Sequence, residues 1–174
     1  RQLALFCNNL GRRVAKSGDV LRARSLLSEA MKLQPDNGTF ATNMCTLMIM
    51  ESRERQKKGE DDKAALLLNE ATALDPGNFA VHVALGEYHY GRNDYAASVA
   101  SLERALGLNP GATNIAGRIE QIRKETAVEK GFGKTDRAHF MIRYEGGVNE
   151  DLSWNVSGIL DDAQKLAGQQ FAML

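Results

Sequence analysis

Apolar positions between residues 20 and 110 recur with one spacing, and each run of them stops at a proline. Counting back from Pro35, Pro76 and Pro110, leucine stands two before (Leu33, Leu74, Leu108) and alanine five before (Ala30, Ala71, Ala105). Leucine returns eight before (Leu27, Leu68, Leu102), and small Ala23, Ala64 and Ser98 stand twelve before. Steps of three, three and four place these side chains on one face of a helix. Proline ends a helix because it lacks a backbone N–H and disfavours helical backbone at the residue before it. Seventeen before each proline comes Gly18, Gly59 or Asn93, residue types that tolerate left-handed backbone at a helix end. Upstream of these lie Leu10-Gly11 and Leu85-Gly86. The pattern predicts a helix, a tight turn, a second helix and a proline stop, three times over.

Pro76 and Pro110 are 34 residues apart. A 34-residue helix–turn–helix with Leu-Gly in its first helix, spaced small residues in its second and a terminal proline resembles the tetratricopeptide repeat (TPR). The segment FAVHVALGEYHYGRNDYAASVASLERALGLNP carries the resemblance best. Departures are present. Cys7 and His82 stand where the family often has Trp, Val14 and His89 where it often has Tyr, and Met44-Cys45 replaces Leu-Gly. The resemblance implies a mainly α fold: an α-solenoid of three repeats over residues 1–110, at about 4–37, 38–78 and 79–112.

Pro35 and Pro76 are 41 residues apart, seven more than the period. Gly59 keeps its normal distance to Pro76, so the insertion lies between Cys45 and Gly59. Seven residues make about two helical turns, and a helix so lengthened returns to nearly the same face. The inserted region, ESRERQKKGEDDK, is almost wholly charged. It reads as a solvated, protruding helix end.

After Pro110, Ile115, Ile119 and Ile122 form one apolar stripe over residues 113–130, a helix suited to cap the array. GFGK at 131–134 breaks that pattern. In AHFMIRY, Phe140, Ile142 and Tyr144 alternate with His139, Met141 and Arg143, which is strand spacing. Asn149, Glu150 and Asp151 then open a helix whose face runs through Leu152, Val156, Ile159, Ala163, Leu166 and Gln170, with Leu160, Ala167 and Phe171 beside it and Trp154 off it. Residues 131–174 therefore read as an incomplete strand–helix start of a second domain. A lone strand leaves its edges unpaired, so self-association through residues 138–172 is expected, by paired strands or an exchanged helix. Residues 128–174 also resemble the junction at which bacterial repeat proteins enter a peptidase-MA-like (gluzincin) domain. That resemblance implies the alternative that the chain is the non-catalytic front of a secreted or periplasmic zinc metallopeptidase. The family's His-Glu-x-x-His motif is not among these 174 residues.

Formal charge sums to zero but is uneven: residues 1–35 carry +5 and residues 36–76 carry −3. A basic first repeat suits an acidic partner or an acidic neighbour. Basic residues are not interleaved with aromatics, so nucleic acid is not an expected partner. No apolar run approaches the ~20 residues of a membrane span, and no signal peptide occurs within these 174 residues, which begin with Arg and read as a fragment of something longer. Cys7 and Cys45 occupy helix-packing places and are expected as buried free thiols, which fix no compartment.

Catalytic, metal and cofactor sites are not expected. His82 and His89 are seven apart on one helix, about 10 Å along its axis, too far to share a metal. Asp161 and Asp162 diverge by ~100° on a helix. Phosphate-loop, Cys-x-x-Cys and His-Glu-x-x-His motifs do not occur. The TPR resemblance instead implies a protein-interaction scaffold that holds a peptide or partner protein on the concave face of its first helices. By register that face draws on Leu5, Asn8, Asn9, Arg12 and Lys16 from the first repeat. The second contributes Thr39, Thr42, Asn43 and Thr46, and the third Val83, Ala84, Glu87 and Tyr90. Asn9 and Asn43 are equivalent, and an amide can bond both the N–H and the C=O of an extended peptide. The family's chaperone-tail clamp needs cations where this chain has Ala80 and Ala84, so that version is not expected.

Overall fold

Three chain segments turn the same corner. The residue before each proline leaves the helical region in the same way, with φ −146° and ψ 80° at Gln34, φ −141° and ψ 83° at Asp75, and φ −141° and ψ 86° at Asn109. A following proline ring disfavours helical backbone at that residue. Two residues past the first two prolines an asparagine starts the next helix: Asn37 Oδ1 accepts from Thr39 N, and Asn78 Oδ1 from Ala80 N and Val81 N. The same short motif thus ends one helix and caps the next.

The computed structural model describes residues 1–130, 132–136 and 141–145, and further on 155, 156, 158–160, 162 and 163. The elements are α1 Gln2–Lys16, α2 Val20–Leu33, α3 Gly38–Lys57, α4 Asp61–Leu74, α5 Phe79–Gly91, α6 Tyr95–Leu108, α7 Thr113–Lys130, β1 Phe132–Asp136 and β2 Met141–Glu145. They fall into two units, Arg1–Glu120 and Gln121–Leu174.

In the first unit helices pack as pairs, α1 with α2, α3 with α4 and α5 with α6, and α1, α3 and α5 adjoin in sequence. Within each pair the connection passes through left-handed backbone, at Gly18 (φ +89°), Gly59 (φ +72°) and Asn93 (φ +60°). The recurrent stripe is the core. Ala23, Ala30, Ala64, Leu68, Ala71, Ser98, Leu102 and Ala105 are completely buried, and Leu27 almost so. Leu33 and Leu108, by contrast, are exposed. Each is the last residue of its helix, past the turn that packs. Gly11 and Gly86 make the closest approaches. A Cβ added at Gly86 would stand 2.6 Å from Leu102 Cγ, and one at Gly11 would stand 2.9 Å from Leu27 Cγ. In the second pair Cys45 takes the glycine's place, buried, with Sγ 3.5 Å from Ala71 O. Burial, with the Asp75 carboxylate second, pushes its thiol up to about 11. Cys7 is also free and buried.

Helix α3 has 20 residues against 13 in α5, so the insertion lengthens the helix. Its end is not simply solvated, as the charge run suggested. Glu51 accepts from Arg24 of α2 at 2.7 Å and faces Arg55 at 3.6 Å; Arg55 reaches Glu60 at 2.6 Å, and Glu60 reaches Lys63 at 3.1 Å. These pairs strap the extension to α2 and α4. Hydrogen bonds from Arg55 and Lys63 hold the Glu60 carboxyl below the usual range, and Lys57 does the same for Glu54.

In the second unit, β1 and β2 pair antiparallel, Phe132 opposite Glu145 through Asp136 opposite Met141. This corrects the expectation of one lone strand: β2 has a neighbour, and the unpaired edge that motivated self-association is filled on one side. His139 and Phe140, expected on the strand, lie outside the described residues. So do Leu152, Trp154, Asp161, Leu166, Ala167, Gln170 and Phe171 of the expected tail helix. Residues 155, 156, 158–160, 162 and 163 are helical, and Val156 and Ile159, read as part of that helix's apolar face, are 39% and 68% exposed.

Candidate partner-binding face

The first helices bring part of the expected face together. Asn8 is buried beside α3, and Asn43 Nδ2 donates to Asn8 Oδ1 at 2.7 Å. Asn8 Nδ2 in turn reaches Asn9 Oδ1 at 3.4 Å. This chain of amides corrects the expectation that Asn9 and Asn43 each keep both functions for a ligand. One function of each is engaged internally. Asn9 keeps its NH2 as donor and Asn43 its carbonyl as acceptor, and neither has a partner among the described residues. The two groups form a complementary pair, one for a backbone C=O and one for an N–H.

Asn43 borders a cavity of 170 Å³. Leu27 and Leu47 supply its apolar floor, and Arg12, Lys16, Asn43, Thr46 and Met50 its rim. Arg12 and Lys16 are exposed. The threonines contribute less. Thr42 Oγ1 donates back to Gly38 O at 3.0 Å and also meets Asp75 Oδ2 at 3.3 Å, and Thr46 Oγ1 donates to Thr42 O at 2.9 Å. Such back-bonding engages a hydroxyl within its own helix. Thr39 lies exposed in the first turn of α3, and Leu5 is 46% exposed on α1.

The α5 end differs. Arg118 of α7 grips Glu87 with two hydrogen bonds of 3.2 Å and lays its guanidinium 4.0 Å from the centre of the Tyr90 ring. The bond to Glu87 raises the Arg118 guanidinium further above its ordinary value. Tyr90 also meets Tyr95 edge-on at 5.6 Å. Glu87 and Tyr90 therefore face an internal cation. Val83 is half-buried and Ala84 buried, so this end offers little polar chemistry. Sequence reasoning missed Arg118, whose only signal was a basic residue one turn along the Ile115–Ile119 stripe. His82 is structural, its Nε2 2.9 Å from Pro76 O.

Among the described residues no group of three His, Cys, Asp or Glu side chains could hold a metal, and no helix is long and apolar enough to cross a membrane.

The fold these helices define is TPR-like. No family model matches the chain, and no curated protein matches it. Solved structures do. The first TPR of Spaghetti (RPAP3), bound to the HSP90 peptide SRMEEVD, aligns with a TM-score of 0.50 at 20% identity, covering 72% of this chain and 94% of its own. The TPR domain of Arabidopsis OM64 aligns with a TM-score of 0.51 at 18% identity, covering 71% and 97%. At such identities the likeness extends to the fold.

Proposed function

We propose that this chain is a non-catalytic protein-interaction scaffold that holds an extended peptide segment of a partner on the concave face of α1, α3 and α5. The observation that carries this is the Asn43–Asn8–Asn9 chain. Its two open ends present one acceptor, on the Asn43 that borders an apolar-floored cavity, and one donor, on Asn9 of α1. A peptide lying along α1 and α3 meets both with its backbone, places a side chain in the 170 Å³ cavity, and passes an acidic group near Arg12 or Lys16. The fold is shared with a TPR domain that binds a peptide, which supports the class of ligand. The α5 end plays a smaller part, because Arg118 occupies Glu87 and Tyr90.

The test is a selection from a random peptide display library, followed by titration of the recovered peptides. Asn9→Ala with Asn43→Ala should weaken them by about 1–3 kcal/mol, the cost of lost and unsatisfied hydrogen bonds. Circular dichroism checks that the variant still folds, since Asn43→Ala also deprives Asn8 of its donor. Peptides that bind the double variant with unchanged affinity would place the site elsewhere.

A further inference from the structure

The lengthened α3 makes a second surface. Its extra seven residues run about 10 Å beyond the length of α5. Against the α1–α2 turn they enclose an open groove of 700 Å³. That volume lies within the roughly 300–1,000 Å³ that accommodates a small ligand or several side chains. Val20, Leu21 and Met50 give it an apolar wall, and Leu21 is 84% exposed, the most exposed of the large apolar side chains described.

The charged lining is unbalanced. Lys16, Arg53, Arg55, Lys57 and Lys58 face Glu51 and Glu54. Both acids are already engaged, Glu51 with Arg24 and Arg55, and Glu54 with Lys57 at 2.7 Å. Lys16, Arg53 and Lys58 have no ion-pair partner among the described residues. The groove therefore presents three cations outside any close ion pair, of which Lys58 acts on Glu54 only at longer range, around exposed Leu21 and Met50, on a base that the Glu51–Arg24 strap holds in place.

We infer that this groove docks an acidic segment of a partner protein that carries one or two large aliphatic side chains. The acidic groups answer Lys16, Arg53 and Lys58, and the aliphatic groups cover Leu21 and Met50. Nucleic acid fits less well. The lining has no aromatic ring on which a base could stack, and an exposed leucine offers nothing to a phosphate chain. This surface shares Ala15, Lys16 and Met50 with the cavity beside the amide face, and its test rests on other residues, so the inference stands apart from the peptide reading of that face.

Fluorescence anisotropy on the full chain tests it. The probe is a labelled 14-residue peptide of Glu and Asp with two leucines four positions apart. The controls are its Leu→Ser form, its acid-to-amide form, and a single-stranded oligonucleotide of equal charge. Arg53→Glu with Lys58→Glu should weaken the acidic leucine peptide at least about tenfold, and Leu21→Ser at least about threefold, while added salt weakens it throughout. Asn9→Ala with Asn43→Ala should leave it within about twofold, which separates this groove from the amide face. All the residues changed for the groove are exposed, so the variants are expected to fold. Four outcomes overturn the inference: no binding by the wild-type chain, equal binding by the charge-reversed variant, equal binding of the Leu→Ser peptide, or tighter binding of the oligonucleotide.

Discussion

Replacing Gly86 by alanine should destabilise the protein, although alanine is the better helix former. The new Cβ would stand 2.6 Å from both Cγ and Cδ2 of Leu102 and 3.4 Å from Ser98 O. Leu102 is completely buried, and Cγ is its branch point, so relief requires α5 and α6 to separate. Overpacking of this kind costs about 2–3 kcal/mol. The gain in helix propensity returns about 1 kcal/mol. The net loss is therefore about 1–2 kcal/mol, or on the order of 0.5–1 M in a urea midpoint. Gly11 is an internal control. Its Cβ would meet Leu27 Cγ at 2.9 Å and Cδ2 at 3.1 Å, a milder clash, so the two effects should nearly cancel there. Urea unfolding followed by far-UV circular dichroism measures both variants. Gly86→Ala combined with Leu102→Ala should cost about 2–3 kcal/mol less than the sum of the single changes, because the shortened side chain removes the clash while the gain in helix propensity stays. A stabilising Gly86→Ala, or a Gly11→Ala that costs more, would refute the packing argument.

Other expectations follow from the same geometry. Cys45 should resist alkylation by iodoacetamide at pH 8 in the native protein and react on unfolding, since with its thiol near 11 only about one part in a thousand is thiolate; rapid native labelling at Cys45 would contradict its burial. Arg118→Ala should cost about 1 kcal/mol in urea unfolding by losing the Glu87 bonds and the Tyr90 contact, and a double-mutant cycle with Glu87→Gln should show coupling. Glu60 and Glu54 have folded-state values below the usual glutamate range, so what they contribute is complete above that range and is lost as pH falls through the lower folded values. Arg55→Met should therefore flatten the acid limb of stability below about pH 4 and leave the neutral limb's slope unchanged.

The helical part was legible because three signals coincided at each repeat. Proline stopped the helix, a small residue marked the close contact, and a left-handed residue marked the turn. Cooperation of this kind is rare by chance. Strand β1 was not legible. Its sequence FGKTD holds a glycine, a lysine and an aspartate and shows no apolar alternation, so pairing with β2 rather than local preference defines it. The contacts between first helices were not legible in detail. The spacing equated Asn9 with Asn43, yet the bond from Asn43 crosses to Asn8, a contact between helices that no single-helix pattern contains. Arg118 and the Arg24–Glu51 strap were missed for the same reason. Long charged side chains reach partners about 30 residues away, and a charge run reads as solvated until those partners are placed.

Gly18, Gly59 and Asn93 share a consequence that concerns mirror symmetry. A Cβ added at Gly18 or Gly59 would meet nothing within 4 Å, so space does not select glycine there. What selects it is the sign of φ, +89° and +72°, which an L side chain resists and a D side chain prefers. In a chain assembled by chemical ligation, D-alanine at either turn should fit without strain. It should even stabilise the fold slightly, by narrowing the unfolded ensemble as any side chain does when it replaces glycine in a conformation it favours. L-Alanine at the same positions should cost roughly 1 kcal/mol. Each turn between paired helices is thus a site of inverted handedness between right-handed helices, and among the described residues Asn93 is the one place where a standard L residue accepts it.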